Sequence, residues 1–174
     1  MTASPSSSFF DAPDASKTDE IQRSKGGTLF TRDWEVPEPR GLAFISHGFS
    51  EHTKYYNEVA QALNGKKIYC FGHDHLGHGR SSGSRTLINS TDEYVEDVLH
   101  HVKLLQKKFP TLPMFIVAHS MGGLIALRCA LISRCLQGGR SHWAPHYPLN
   151  TSRGLRFQDN LPACTVFPVF PESH

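Results

Sequence analysis

What this 174-residue sequence has little of narrows its class before any motif is read. Its four cysteines (Cys70, Cys129, Cys135, Cys164) form no CxxC pair and no even framework, so a disulfide scaffold is not indicated. Cys70 ends an apolar run and Cys129 falls in an apolar helical pattern, which suits buried thiols in a reducing compartment. No window approaches eighteen consecutive apolar residues, which excludes a spanning helix. The Ser-rich start, Met1 to Ser8, has no apolar core of the kind a secretory signal needs. Charge of one sign is also missing. Eighteen basic against sixteen acidic residues leave a net charge of +2, which points to no nucleic-acid partner. The chain therefore reads as cytoplasmic, or peripheral to a membrane at most. The length suits one domain, and an apolar fraction of 39% is low enough to leave part of the chain outside a packed core.

The compositional excess is histidine: eleven in all, five of them between His47 and His78. Residues 1–25 are rich in Ser, Asp, Thr and Lys, and suggest a disordered leader. From Gly27 the pattern changes. Thr28–Val36 is strand-like and closes at Pro37. Leu42–Ser46 is an unbroken apolar run, as expected of a strand covered on both faces. Tyr55–Leu63 fits a short helix stopped at Asn64-Gly65, and Lys67–Phe71 reads as another strand.

Ser90 to Phe109 is the clearest helix. Ser90 and Glu93 have capping-box spacing, and Val95, Val98, Val102, Leu105 and Phe109 form one apolar stripe that Pro110 ends. Met114–Ala118 is a third buried-type strand, followed by a helix from about Gly122 to Cys135. Strands alternating with helices predict a three-layer α/β sandwich with a mainly parallel sheet over residues 26–135. In residues 136–174 the alternation stops, and five prolines with no sustained period suggest an irregular tail.

The chemistry concentrates at Ala118-His119-Ser120-Met121-Gly122. A serine hydroxyl is a weak nucleophile and needs sharp exposure, an oxyanion hole and a base. A buried strand turning tightly into a helix, with small residues around the serine, supplies the first two. Ser120 is accordingly the candidate nucleophile, and the Met121 amide the first oxyanion donor. Ala118 stands where the usual G-x-S-x-G pattern has glycine. Upstream, His47-Gly48-Phe49-Ser50-Glu51-His52 follows a buried strand, and its Phe49 amide is the second candidate donor. His47 reads as a hydrogen-bonded shaper of that turn rather than a base.

The motifs His47–His52 with Tyr55-Tyr56, Gly72–Ser82 (GHDHLGHGRSS) and His119–Gly123 (HSMGG) occur in order. Together they resemble the monoacylglycerol lipase family of the α/β-hydrolase superfamily, over roughly Gly27 to Cys135. The resemblance implies the N-terminal half of a three-layer α/β-hydrolase fold. It also implies a carboxylic-ester hydrolase without a cofactor, cleaving monoacylglycerols or related lysolipids through an acyl-Ser120 intermediate. Acyl preference and oligomeric state are not encoded in these motifs.

A rival chemistry uses His73, His75 and His78, whose spacing allows one metal to be held from a loop. Gly77 stands where a metallo-β-lactamase-like signature carries aspartate, and no later residue completes the ligand set convincingly. A metal-dependent hydrolase is therefore the minor alternative. The triad is incomplete in this reading. After Ser120 the carboxylates are Asp159 and Glu172, and the histidines are His142, His146 and His174. Ser120…Asp159…His174 has the right order, but 54 residues are too few for the later strands and lid that the resemblance implies. No acid or base is assigned. The expectation is a truncated form that diverges near Cys135, leaves Met114–Ala118 as an exposed sheet edge, and is either weakly active or a non-catalytic isoform.

Overall fold

Unbroken apolar strands need cover on both faces, and the chain provides it with helices on either side of a six-stranded sheet. The structure, a computed structural model, describes residues 14–136 and the backbone of 165–169. Its strands are β1 (Lys17–Gln22), β2 (Thr28–Trp34), β3 (Gly41–Ser46), β4 (Ile68–His73), β5 (Met114–Ala118) and β6 (Thr165–Val169). The helices are α1 (Asn57–Asn64), α2 (Thr91–Lys108) and α3 (Met121–Leu136), with a 3-10 turn at Thr53–Tyr56. The sheet order is β1-β2-β4-β3-β5-β6. β3 runs parallel to both β4 and β5, whereas β1, β2 and β6 join antiparallel.

β3 is central and buried along its whole length. Its period of two splits the core: Leu42 and Phe44 face a layer built with α2 and α3, while Ala43 and Ile45 face one built with α1. Phe44 meets Phe71 edge-on at 5.4 Å, and burying a phenyl ring contributes roughly 1.5–3 kcal/mol. On α2, Val95, Val98 and Val102 of the expected stripe are buried, and Leu105 and Phe109 pack on that cluster. Ser90 caps the helix through the Asp92 amide at 3.1 Å, one residue earlier than a capping box would. Cys70 and Cys129 are buried free thiols, and burial pushes both up to about 12.

Two expectations are corrected. The disordered leader does not hold over its described part: Lys17–Gln22 is a strand, mostly exposed, paired residue by residue with β2. Composition hid it because backbone pairing along an open edge, rather than side-chain burial, forms it. Arg23 then anchors the turn after β1 through Nε bonds of 3.0 and 2.8 Å to Asp97 of α2, with both side chains buried. Residues 1–13 lie outside the described residues. Nor is β5 an exposed edge, because β6 pairs with it antiparallel from Met114↔Val169 to Ala118↔Thr165. Pro168 lies opposite Phe115, and an edge strand tolerates a residue with no N–H. The rest of the expected irregular tail lies outside the described residues.

Candidate active site

In an open parallel sheet, a crevice forms where successive connections leave in opposite directions. Here β3 leads through α1 to β4 on one side, and β4 leads through α2 back across to β5 on the other. The switch point falls between β3 and β5, where Ser46 is paired with Ala118. The turn His47-Gly48-Phe49 leaves one strand there, and the turn His119-Ser120-Met121 leaves its neighbour.

Ser120 is exposed, joins β5 to α3, and has φ 50, a left-handed conformation that a residue with a Cβ adopts only when its surroundings impose it. The constraint is visible two residues on. A Cβ on Gly122 would stand 2.1 Å from the Ser46 carbonyl oxygen and 2.7 Å from that of His47, so the helix start lies directly against the end of β3. The His119 amide bonds to the Ser46 carbonyl at 3.2 Å, closing the same contact. Ser50 in the facing turn is also left-handed, at φ 60. Neither the Met121 nor the Phe49 amide has an acceptor among the described residues. The first turn of α3 carries no acidic residue, so its positive end is uncompensated. Ser120 Oγ likewise has no hydrogen-bond partner among the described residues.

His47 is fully buried. The His75 amide must donate, so His47 Nε2 accepts it at 2.9 Å, and Nδ1 therefore carries the proton shared with the Gly48 carbonyl at 2.8 Å. With both nitrogens engaged and burial holding its pKa down at about 4, His47 shapes the turn as the sequence suggests. The histidine-rich loop is tied inward in the same manner. His75 Nε2 meets Ser46 Oγ at 3.1 Å, His73 Nδ1 meets His101 Nδ1 at 3.2 Å, and His78 Nδ1 donates to the Leu76 carbonyl at 3.0 Å. Burial lowers the pKa of His73 and His75 well below the ordinary value. His73, His75 and His78 each commit one ring nitrogen to a different protein group and leave the other buried with no hydrogen-bond partner among the described residues. No group of three or more His, Cys, Asp or Glu in a metal-holding arrangement occurs among the described residues. The three rings of the metal-loop alternative therefore do not converge as a ligand set among the described residues.

Two carboxylates that sequence reasoning missed organise the site. Asp74 is buried and accepts the Thr53 amide at 2.8 Å, the Thr53 hydroxyl at 2.7 Å and the Arg80 amide at 2.9 Å. Glu51 accepts the Gly48 amide at 2.7 Å, and its three-residue spacing from Gly48 is the only trace of this in the sequence. The remaining triad candidates, Asp159, Glu172, His142, His146 and His174, lie outside the described residues.

Comparison with known proteins identifies the family and the fold. The family described as Serine aminopeptidase, S33 matches residues 37–144. Human monoglyceride lipase is 45% identical over 111 residues, which is 63% of this chain and 37% of that protein. The monoglyceride lipase homolog of Monkeypox virus is 39% identical over 103 residues, covering 59% of this chain and 37% of that protein. A thermostable carboxyl esterase from Bacillus coagulans, solved in complex with glycerol, superposes with a TM-score of 0.61 at 27% identity, covering 67% of this chain and 40% of that one. A soluble variant of monoglyceride lipase from Saccharomyces cerevisiae, in complex with a substrate analog, gives a TM-score of 0.59 at 28% identity, covering 66% and 38%. The chain thus spans well under half the length of these relatives. The family match takes in more than half of the sequence, and the chain belongs to that family of α/β-hydrolases, as a partial member of the monoglyceride lipase type.

Proposed function

We propose that this chain carries the nucleophile and oxyanion half of a serine esterase that acts on monoacylglycerols or related lysolipids. The observation that carries the reading is the exposed, left-handed Ser120 at a strand–helix turn beside the Phe49 turn, with no acceptor among the described residues for the Phe49 and Met121 amides. Ser120 Oγ attacks the acyl carbonyl as its proton passes to a general base that is not among the described residues, which then delivers that proton to the departing glycerol-side oxygen. The oxygen that gains the charge is held by the Phe49 and Met121 N–H groups and by the positive end of α3. Collapse expels the glycerol-side alcohol and leaves acyl-Ser120, which water cleaves to the free fatty acid. The lipid ester enters this account through the relatives' names, and no cofactor is needed. We place the chain in the cytoplasm or at a membrane surface. No helix among the described residues is long and apolar enough to cross a membrane.

A second reading, a non-catalytic isoform, is favoured by one observation: among the described residues nothing hydrogen-bonds Ser120 Oγ and so nothing there activates it. A fluorophosphonate probe separates the two. Labelling of the full chain that disappears in Ser120→Ala supports the esterase. A folded chain that stays unlabelled, or equal labelling of both proteins, refutes it in favour of the second reading.

A further inference from the structure

A serine nucleophile and its oxyanion donors work only at a fixed separation, and here they sit on two different turns. One side chain touches both. Glu51 Oε2 accepts the Gly48 amide at 2.7 Å and the Tyr56 hydroxyl at 2.5 Å, while Oε1 lies 3.1 Å from His119 Nδ1, within ion-pair reach though poorly aligned for a hydrogen bond. Gly48 directly precedes Phe49, and His119 directly precedes Ser120. The gap they share is narrow: a Cβ on Gly48 would stand 3.0 Å from Glu51 Oε2 and 3.0 Å from His119 Nδ1. Tyr56 is itself fixed, because the 3-10 turn that carries it begins at Thr53, which Asp74 holds by two hydrogen bonds.

We propose that Glu51 is a positioning residue: its carboxylate clamps the Phe49 turn against the Ser120 elbow and so sets the geometry of the oxyanion site. The clamp rests on the esterase reading for its purpose, but not for its existence. Partial burial alone would raise the Glu51 pKa. The Tyr56 hydroxyl and the Gly48 amide outweigh burial and hold it below the usual range, so the clamp is an ionised group. A carboxylate that merely capped its own turn would have no need to reach His119.

The test is hydrogen-exchange mass spectrometry on the full chain, following peptides that span residues 46–51 and 118–123. Glu51→Ala speeds exchange in both segments. Glu51→Gln keeps an acceptor for Gly48 and Tyr56 and a polar group toward His119, and restores both to near the wild-type rate. His119→Ala removes no bond within the Glu51 turn, yet it speeds exchange at 46–51, and it adds nothing further in the Glu51→Ala background. Exchange that changes only at 46–51 in Glu51→Ala, or additive effects of the two substitutions, overturns the clamp. Should Glu51→Ala fail to fold, His119→Ala decides alone: an unchanged 46–51 segment overturns the proposal. In parallel, Glu51→Ala slows fluorophosphonate labelling of Ser120 about tenfold to a hundredfold, the scale of a site displaced by an ångström or less. An unaltered labelling rate counts against the clamp. A wild-type chain that is not labelled counts against the esterase reading instead, and the exchange measurements still decide the clamp.

Discussion

Gly122 and Gly123 are adjacent, lie in the first turn of α3, and should respond oppositely to the same substitution. Alanine in place of glycine in a helix is favoured by roughly 0.5–1 kcal/mol, because glycine loses more backbone freedom on folding. At Gly123 no atom of the described residues lies within 4 Å of the position a Cβ would take, so Gly123→Ala keeps that gain. At Gly122 the new Cβ would stand 2.1 Å from Ser46 O, 2.6 Å from Ser46 C and 2.7 Å from His47 O, all main-chain atoms that cannot rotate away. Relieving that overlap requires α3 to move off the end of β3, and overpacking of this kind costs about 1–3 kcal/mol or more. Gly122→Ala should therefore be destabilised by up to about 2.5 kcal/mol net, and the two variants should differ by the overpacking cost itself, about 1–3 kcal/mol. Urea denaturation of both proteins alongside the wild type, followed by tryptophan fluorescence, measures the difference. The displaced atoms belong to the turn that carries Phe49, so Gly122→Ala should also lose any labelling of Ser120. A Gly122→Ala protein as stable as Gly123→Ala would refute the contact between the helix start and β3 on which the site geometry rests.

Acid should unfold the protein through its buried histidines. Burial lowers His47 to about 4 and His101 to about 3, both below the ordinary 6.5, so each is neutral when folded and charged when unfolded at pH 5. Their stabilisation is full above pH 6.5 and is lost as pH falls toward 4, about 2 kcal/mol each by pH 5. Melting temperatures measured from pH 8 to 5 should fall below pH 6.5, and a flat profile would contradict the buried placement. Asp33 works in the opposite direction. Burial, only partly offset by the Tyr69 hydroxyl at 3.0 Å, raises its pKa to about 6, so its contribution is present at low pH and lost as pH rises through 6. Asp33→Asn, which keeps an acceptor for Tyr69, should be more stable than wild type at pH 8 by about 1–3 kcal/mol and should lose that advantage at pH 4. An equal advantage at both values would rule out ionisation as the cause.

The elements that bury apolar side chains could be read directly from the sequence. β3, β4 and β5 are strand-length apolar runs, α2 has a stripe at helical spacing, and Ser120 lies where a buried strand meets a helix. What could not be read is whatever depends on partners distant in sequence. β1 has no apolar period and exists because β2 has an open edge. Asp97 and His101 sit on the buried side of α2 among the valines, where spacing alone predicts apolar residues; Arg23 and His73 take them up from other elements. Glu51 and Asp74 acquire their roles only when the chain brings Gly48, Tyr56, Thr53 and Arg80 to them. In the histidine-rich loop, spacing left a shared metal as the minor alternative, whereas His73 meets His101, His75 meets Ser46 and His78 meets the Leu76 carbonyl.

The pairing of β3 with β5 also bears on how the molecule forms. Ser46 and Ala118 face each other across one strand spacing but are 72 residues apart in sequence. The β1–β2 hairpin and the β3–α1–β4 unit close short loops and can form locally. The candidate site cannot, because its two turns meet only when β5 docks on the far side of β3 from β4. Closing so long a loop is the entropically slow step in a fold of this topology. The two turns of the candidate site are therefore kept apart until the parallel core has assembled, and any species halted before that step has a folded hairpin but no Phe49 turn beside Ser120.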